Sequence, residues 1–427
     1  MNLRHDLVKS FLGVGSMYML SIPVGLLTSI VLARTLGPAA FGQYAFLMSL
    51  LALLVLPVVG GLPQLLTREV AGFVQSKQWS LYCGAVRAAH IWVLLLAALV
   101  LVGYWITGPL IGLIPQSGKW ALLTIVVILV PLQGLNAVRN GTIKGLGFPA
   151  LAELPMQIVQ PLLLLAAVGS LAALSTVTVA NALWAQVGVT ILSFVLASIL
   201  FYRVRPNMSL KQVPEYRNKV WMLALLPFGV AAFVGSFNGQ IGTILLGVFG
   251  TDEGVAALRV AERGGQLVLL SLTLVNMVIS PHIVRAYQKG DMASLQKLSQ
   301  KSARYAFLIG LPIGLVLVGF GKVIIGLAFG AEYSEVAYLP MVVLVAGYLF
   351  HLMAGSAGVL LLMTGYEKLT LRAQCLGLIV MVVLSLILIP SLQALGAAIA
   401  TTGGVIVYTV AQALSVAQRL NIRPGVF

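Results

Sequence analysis

Residues 254–281 read GVAALRVAERGGQLVLLSLTLVNMVISP, and this stretch decides the fold class. A helix that crosses a bilayer needs roughly 20 mostly apolar residues, and the stretch exceeds that length. Its charged side chains, Arg259, Glu262 and Arg263, all lie in its first half. The sequence therefore predicts a membrane-spanning helix that carries three charges, a combination that is costly in a bilayer and typical of functional sites.

Apolar runs of similar length recur through the whole chain. Of its 427 residues, 60% are hydrophobic and 9% are charged, and the mean hydropathy is +1.03. Soluble domains, by contrast, are about half apolar and about a quarter charged. We therefore expect an all-α polytopic membrane protein with twelve transmembrane helices, at 11–33, 44–66, 89–108, 119–138, 150–173, 179–201, 221–248, 254–281, 304–328, 338–363, 371–389 and 396–417.

The positions of the basic residues predict the orientation of these spans. If the N-terminus is cytoplasmic and the spans alternate, 21 of the 26 Lys and Arg residues fall in cytoplasmic segments, as the positive-inside rule requires. Both termini are therefore expected in the cytoplasm. The formal net charge of +15 is then explained by topology and by attraction to anionic membrane lipids. Nucleic acid is not an expected partner.

A polar, basic segment at 204–220 separates the first six predicted spans from the last six. Because each half has an even number of spans, both halves begin on the same side of the membrane. This arrangement is typical of lobes related by an axis along the membrane normal. We expect two pseudo-symmetric six-helix lobes, at 1–203 and 221–427, joined by a cytoplasmic linker at 204–220.

Motifs for enzymatic chemistry are absent from the sequence. It contains no GxxxxGK[ST] phosphate loop, no HExxH or GxSxG motif and no acidic pair with metal-ligand spacing. The two cysteines, Cys83 and Cys375, lie about 290 residues apart, which excludes a zinc module. We expect a protein that is not an enzyme, with no catalytic residues, no metal site and no cofactor.

Charged residues inside predicted spans are the strongest candidates for function, because each needs a partner or water. Arg259, Glu262 and Arg263 share one helix face through their i, i+3 and i+4 spacing. Their net charge of +1 favours a polar or water-filled cavity; the alternative is an ion pair that snorkels to the interface. Arg34 is either an interfacial anchor or a cavity residue. Four amides either line the cavity or bond between helices, namely Gln133, Asn136, Asn238 and Gln240.

Several motifs occur in a fixed order along the chain. They are LARTLGPAAFGQYAF (32–46), LPQLLTREVA (62–71), FGTDEGVAALRVAERGGQL (249–267), PHIVRAYQKGD (281–291), FGAEYSEVAYL (329–339) and LMTGYEKLT (362–370). With these motifs the sequence resembles the Wzx-type polysaccharide-lipid flippases of the multidrug/oligosaccharidyl-lipid/polysaccharide (MOP) exporter superfamily. The resemblance implies two six-helix lobes around a central cavity, working by alternating access.

The resemblance also implies a substrate and a setting. An undecaprenyl-pyrophosphate-linked oligosaccharide would be moved across the bacterial inner membrane, for surface polysaccharides such as O-antigen of lipopolysaccharide or exopolysaccharide. The cavity cations of the family map onto Arg34, Arg259 and Arg263, with Glu262 in a coupling or charge-balancing role. A polysaccharide polymerase and a chain-length regulator would be partners. Two alternatives remain: a multidrug or cation antiporter of the same superfamily, for which unpaired cavity acids are expected, and a membrane polysaccharide polymerase.

Overall fold

Apolar runs form helices throughout this chain, because a helix satisfies its backbone hydrogen bonds internally and needs no water to do so. In the computed structural model, which describes residues 3–112, 115, 117–174, 176–207 and 212–426, the described residues contain fifteen α-helices and no β-strand. The all-helical fold predicted from the sequence is confirmed.

The helices are α1 (Leu3–Leu54), α2 (Leu56–Val59), α3 (Leu62–Gln75), α4 (Trp79–Trp105), α5 (Gly118–Ala121), α6 (Leu123–Gly145), α7 (Pro149–Leu154), α8 (Gln160–Leu174), α9 (Val179–Val204), α10 (Asn218–Phe249), α11 (Asp252–Gln288), α12 (Met292–Ala328), α13 (Ala331–Ala354), α14 (Ala357–Met363) and α15 (Glu367–Leu420). Short π-helical turns continue α4 at Ile106–Leu110 and join α7 to α8 at Pro155–Val159.

Two of the long helices are broken by a kink. The backbone of α1 is non-helical at Gly37, with φ 74° and ψ 173°, a conformation that glycine adopts without strain. The backbone of α15 is non-helical at Gln393, with φ 50° and ψ −125°, which is uncommon for a residue with a side chain. The Gln393 side-chain oxygen accepts a hydrogen bond of 2.9 Å from the Thr251 N–H, which helps to hold that conformation. Each of these helices therefore consists of two segments.

The described residues contain ten helical stretches that are long and apolar enough to cross a membrane. The protein is therefore a multi-pass membrane protein. The first stretch, Met19–Gln75, has 57 residues and the last, Glu367–Leu420, has 54, whereas one crossing needs roughly 20. Each of these two stretches contains one of the kinks. The total of twelve crossings stays a prediction.

Contacts within the chain divide it into two compact units. Unit 1 comprises Met1–Leu36 and Leu47–Ser236, and unit 2 comprises Gly37–Phe46 and Phe237–Phe427. In unit 1, α6 packs against α3, α4 and α9, and in unit 2, α11 packs against α12, α13 and α15. The lobe boundaries predicted at 203 and 221 concern the membrane topology and stay a prediction.

The segment 37–46, which follows the kink in α1, packs tightly inside unit 2. The Gln43 side-chain nitrogen donates to an Asp252 carboxylate oxygen at 3.0 Å, and the Phe41 and Tyr333 rings meet edge to face at 6.4 Å. Gly42 lies so close to α11 that a Cβ there would be 1.7 Å from the backbone oxygen of Asp252. This segment therefore fixes the start of α11.

The close approach at Gly42 can be tested by substitution. Gly42→Ala forces the two backbones apart, and we expect it to lower the free energy of unfolding by about 2 kcal/mol, as overpacking does. The thermal unfolding midpoint of the purified protein in detergent measures this. Gly72→Ala is the matched control, because nothing lies within 4 Å of a Cβ at Gly72 and alanine is favoured over glycine in helices. Equal losses of unfolding free energy in the two variants would contradict the close packing of Gly42 against α11.

Candidate functional site

The start of α11 positions the charged face that the sequence predicts. The Thr251 hydroxyl accepts a hydrogen bond of 3.1 Å from the Gly254 N–H, which is a typical N-cap. Asp252 and Glu253 follow in the first turn, where negative charge is stabilised by the helix dipole. At 1.5 Å per residue, Arg259 and Arg263 lie about 10 and 16 Å along the helix from Asp252. Both arginines are therefore well inside the candidate span.

Arg259 forms hydrogen bonds with side chains of α10 and α11. One guanidinium nitrogen donates to a Glu262 carboxylate oxygen at 2.9 Å, and another donates to the Gln240 side-chain oxygen on α10 at 2.8 Å. The side chains of Arg259 and Glu262 are only 21% and 14% exposed. The positive charge of Arg259 is therefore neutralised within unit 2, by a largely buried ion pair.

The positive charge of Arg263 is not neutralised by an ion pair among the described residues. A guanidinium nitrogen donates to the neutral side-chain oxygen of Gln266 at 3.2 Å, and no acidic residue within the described ranges forms an ion pair with it. The side chain is partly exposed, and the Tyr44 hydroxyl is within its electrostatic influence. The face of α11 therefore carries a net charge of +1 that resides on Arg263.

Two glycines let α13 approach the charged turn of α11. A Cβ at Gly264 would lie 2.7 Å from the Met341 sulfur, and a Cβ at Gly265 would lie 2.5 Å from the Tyr348 ring. Side chains at these two positions would push α13 away. The Gly264-Gly265 pair therefore packs the back of the charged turn against α13, which holds the turn in place.

The remaining residues predicted for the site fall into two groups. In unit 2, the Asn238 amide donates to the Gln374 backbone oxygen at 3.4 Å, and Gln240 accepts from Arg259, so both amides bond between helices. In unit 1, Arg34 is exposed, Gln133 is partly buried and Asn136 is 1% exposed. The structure thus brings together Arg259, Glu262, Arg263 and Gln240, whereas Arg34, Gln133 and Asn136 belong to the other unit.

Two residues near Arg263 were missed by the sequence interpretation. Gln266 follows Arg263 at i+3, a spacing that places it on the same helix face, so the signal was present. Tyr44 lies far away in sequence, within the segment 37–46, and nothing in its local pattern predicts its position. No group of three or more His, Cys, Asp or Glu side chains that could hold a metal ion occurs in the described part of the chain.

Comparison with known proteins identifies relatives of the chain. A family model described as "Polysaccharide biosynthesis protein" matches residues 7–287, about two thirds of the chain. The probable low-salt glycan biosynthesis flippase Agl15 of Haloferax volcanii is 24% identical over 216 residues, which are 50% of this chain and 45% of that protein. The chain spans about half the length of the curated relatives it matches.

Two solved structures have the same fold as this chain. An inward-facing multidrug resistance MATE family transporter of the MOP superfamily has a TM-score of 0.78 at 16% identity, with 94% of each chain covered. The lipid II flippase MurJ in an inward closed conformation has a TM-score of 0.72 at 14% identity, with 94% of this chain and 87% of that chain covered. At such identities the likeness shows the fold alone.

Proposed function

The chain belongs to the polysaccharide biosynthesis protein family, and on that basis we propose that it is a flippase for an undecaprenyl-pyrophosphate-linked oligosaccharide. It moves this lipid across the bacterial inner membrane by alternating access and so supplies surface polysaccharide biosynthesis. The Haloferax relative is named as a glycan biosynthesis flippase, and both solved structures are of transporters or flippases rather than enzymes. A polysaccharide polymerase and a chain-length regulator are proposed to act on the product.

The uncompensated charge of Arg263 is the observation that carries this proposal. A pyrophosphate bears about two negative charges and many acceptor oxygens, which guanidinium groups bind with paired hydrogen bonds. The attraction is far stronger at low dielectric than in water. Arg263 is inside a candidate span, is partly exposed and has only a neutral amide as a hydrogen-bond partner among the described side chains. It is thus suited to hold the anionic head of a lipid.

The neighbouring ion pair can control how tightly that head is held. Glu262 bonds to Arg259 at 2.9 Å, so Arg259 is available to a phosphate only if this contact opens. Competition between Glu262 and the substrate keeps binding reversible, which transport requires. We propose that Arg34 assists as a cation of unit 1 and that Gln133 provides polar lining. Asn238 and Gln240 bond between helices and Asn136 is 1% exposed, so the lining role predicted for these three amides is not proposed further.

A multidrug or cation antiporter is the alternative, because the MATE transporter has the same fold. An antiporter that carries cations needs an acid that is free to bind them. Beyond its first turn, α11 has one acidic residue, Glu262, and this carboxylate is occupied by Arg259. The charge of the α11 face therefore favours an anionic substrate. A polysaccharide polymerase is disfavoured because the outer loops are too short to hold a catalytic domain.

The function is tested most simply in cells that lack this protein. They should lose surface polysaccharide and accumulate lipid-linked oligosaccharide in the cytoplasmic leaflet, because synthesis of the lipid-linked unit continues while its export stops. Mass spectrometry of extracted lipids measures the accumulation. Normal surface polysaccharide together with increased sensitivity to cationic drugs would contradict the flippase and favour the antiporter.

We propose twelve crossings with both termini in the cytoplasm, since the kinks at Gly37 and Gln393 divide the two longest stretches. In a variant with Cys83 and Cys375 replaced by alanine, single cysteines at the exposed positions Glu253 and Glu332 should react with an impermeant thiol reagent on intact cells. Cysteines at Lys77 and Lys297 should react only after permeabilisation, since both lie in basic cytoplasmic segments. Labelling of Lys297→Cys in intact cells would contradict the topology.

A further inference from the structure

A second group of cations lies at one end of unit 1, where α4 begins and where α6 and α9 end. Arg139 on α6 is 9% exposed, and its guanidinium carbon lies 4.6 Å from the centre of the Phe201 ring. A guanidinium nitrogen lies 2.9 Å from the His90 ring nitrogen Nε2. The other ring nitrogen of His90, Nδ1, lies 2.6 Å from the Val86 backbone oxygen, so it carries the proton. His90 is therefore a neutral acceptor and does not neutralise Arg139.

A second arginine approaches the same aromatic cluster. The Arg205 guanidinium carbon lies 4.5 Å from the centre of the Tyr202 ring, and that of Arg139 lies 5.9 Å from the same ring. Tyr202 is 55% exposed. Two guanidinium groups thus lie near one exposed ring.

Neither arginine is neutralised by an acid. Three described carboxylates of unit 1 are engaged elsewhere: Glu69 pairs with Arg68 at 2.8 Å, Glu153 bonds to Lys144 at 2.5 Å, and Glu215 pairs with Arg217 at 3.6 Å. Within the described ranges, no salt bridge involves Arg139 or Arg205. The cluster therefore carries a charge of +2 beside an exposed tyrosine ring.

An unsatisfied hydroxyl provides an independent observation at the same place. Tyr82 on α4 is 3% exposed, and its hydroxyl has no hydrogen-bond partner among the described residues. The charges of Arg139 and Arg205 both act on this hydroxyl. Buried polar groups in proteins nearly always have a partner, so a hydroxyl that is unpaired among the described residues marks a donor that is available to an acceptor. Two guanidinium groups and a hydroxyl donor match the oxygens of a phosphate.

We propose that Arg139, Arg205 and Tyr82 bind the phosphate of a lipid headgroup near the exposed side chain of Tyr202. A lipid is favoured over a soluble phosphate because the cluster lies at the end of candidate spans, where tyrosines border the headgroup region of a bilayer. In addition, Ile199, one turn before Arg203 on α9, is 46% exposed, as a residue facing acyl chains would be. The residues of this site belong to unit 1, whereas α11 belongs to unit 2.

Two lipids present phosphate oxygens of the kind that this site binds: a membrane phospholipid and the pyrophosphate-linked lipid carrier. If the carrier binds, the cluster is a loading site, that is, a site where the substrate binds before transport. This assignment rests on the proposed function. Binding of a phospholipid does not depend on it. Both lipids present phosphate oxygens to the same three side chains.

Lipid binding to the purified full-length chain tests the site. With phosphatidylglycerol as the probe in native mass spectrometry, Arg205→Gln should weaken binding about 10-fold, as loss of a charge-assisted hydrogen bond does. Tyr82→Phe, which removes only the hydroxyl, should weaken it about 5-fold, as loss of a neutral hydrogen bond does. Arg203→Gln is the matched control. It removes the same charge as Arg205→Gln, but from a side chain that is exposed on the last turn of α9. It should change binding by less than about 2-fold.

Several outcomes would overturn the site. Equal weakening by Arg203→Gln and Arg205→Gln would show unspecific attraction to a basic surface, and unchanged binding in Arg205→Gln and Tyr82→Phe would show that no site exists. Arg139→Gln is less suitable, because Arg139 packs among Phe194, Phe201 and Tyr202 and its loss also affects folding.

A second arm of the experiment identifies the source of the phosphate. Undecaprenyl pyrophosphate replaces phosphatidylglycerol as the probe, and the affinities of the two lipids for wild type and Arg205→Gln are compared. Tighter binding of the carrier, weakened in Arg205→Gln and retained in Arg203→Gln, assigns a loading site. Tighter binding of phosphatidylglycerol assigns a phospholipid site. If the flippase proposal is wrong, cells that lack the protein will export polysaccharide normally. The binding of phosphatidylglycerol to the purified chain is measured independently of export, so that result would still stand.

Discussion

Arg263→Ala is expected to lower the rate of lipid-linked oligosaccharide export by about 10- to 100-fold, because a charge-assisted hydrogen bond to the substrate contributes about 1.5–3 kcal/mol. Arg263 is the residue of the α11 face that has no carboxylate partner among the described residues. Its removal leaves that face neutral, since Arg259 and Glu262 compensate each other. Complementation of cells that lack the protein measures the loss, with the membrane level of each variant determined in parallel.

Two further variants separate a binding role from a general effect of charge. Arg263→Lys retains the charge but loses the planar pair of donors, so we expect an intermediate rate. Lys322→Ala is the matched control: it also removes one positive charge from unit 2, but from a surface pair with Glu335 whose side chains are 51% and 75% exposed. Such pairs contribute little, and export should stay near the wild-type rate. Full export by Arg263→Ala would show that this arginine does not bind the substrate.

Arg259→Ala is expected to destabilise the protein more than the double variant Arg259→Gln/Glu262→Gln. The single change leaves Glu262, with a side chain that is 14% exposed, as a carboxylate without its partner. Removing one partner of a buried pair costs about 3–5 kcal/mol, whereas replacing both is often neutral. Because Arg259 is 21% exposed, we expect about 2–3 kcal/mol here, and part of the loss in export by Arg259→Ala will come from folding.

A double-mutant cycle measures this coupling. The thermal unfolding midpoint is determined for wild type, Arg259→Gln, Glu262→Gln and the double variant in the same detergent. Coupling is shown if both single variants unfold at lower temperature than the double variant. Additive effects of the two single changes would mean that the 2.9 Å contact between these side chains contributes nothing, and the proposed competition between Glu262 and the substrate would lose its basis.

The overall fold could be predicted because hydrophobicity over the length of a span is a strong signal. Each apolar run requires a helix, since a bilayer offers its backbone no hydrogen-bond partner. The predicted spans leave breaks at 34–43 and 390–395, and the kinks at Gly37 and Gln393 fall within these two breaks. The contacts that the neighbouring residues make with distant parts of the chain could not be predicted. The hydrogen bond from the Thr251 N–H to Gln393 and the packing of segment 37–46 against the start of α11 both join parts of the chain that are far apart in sequence.

The candidate site was predictable where it depends on a single helix. The spacing of Arg259, Glu262 and Arg263 fixes their common face, and the pairing of Arg259 with Glu262 follows from it. The contact of Arg259 with Gln240 and the proximity of Tyr44 to Arg263 depend on how α10 and segment 37–46 pack onto α11. No local pattern encodes such packing. For the same reason the cluster of Tyr82, Arg139 and Arg205, from three different parts of the chain, could not be recognised from the sequence.

Transport by the purified chain tests the central claim most directly. The protein is reconstituted into vesicles with a fluorescent undecaprenyl-pyrophosphate-linked oligosaccharide, and an impermeant quencher reports the fraction in the outer leaflet over time. We predict that wild-type vesicles exchange the lipid between leaflets without nucleotide, because the sequence has no phosphate-binding loop, and that Arg263→Ala vesicles do so about 10- to 100-fold more slowly than wild type. Exchange in wild-type vesicles at the protein-free rate, or only with hydrolysable ATP, would contradict the account.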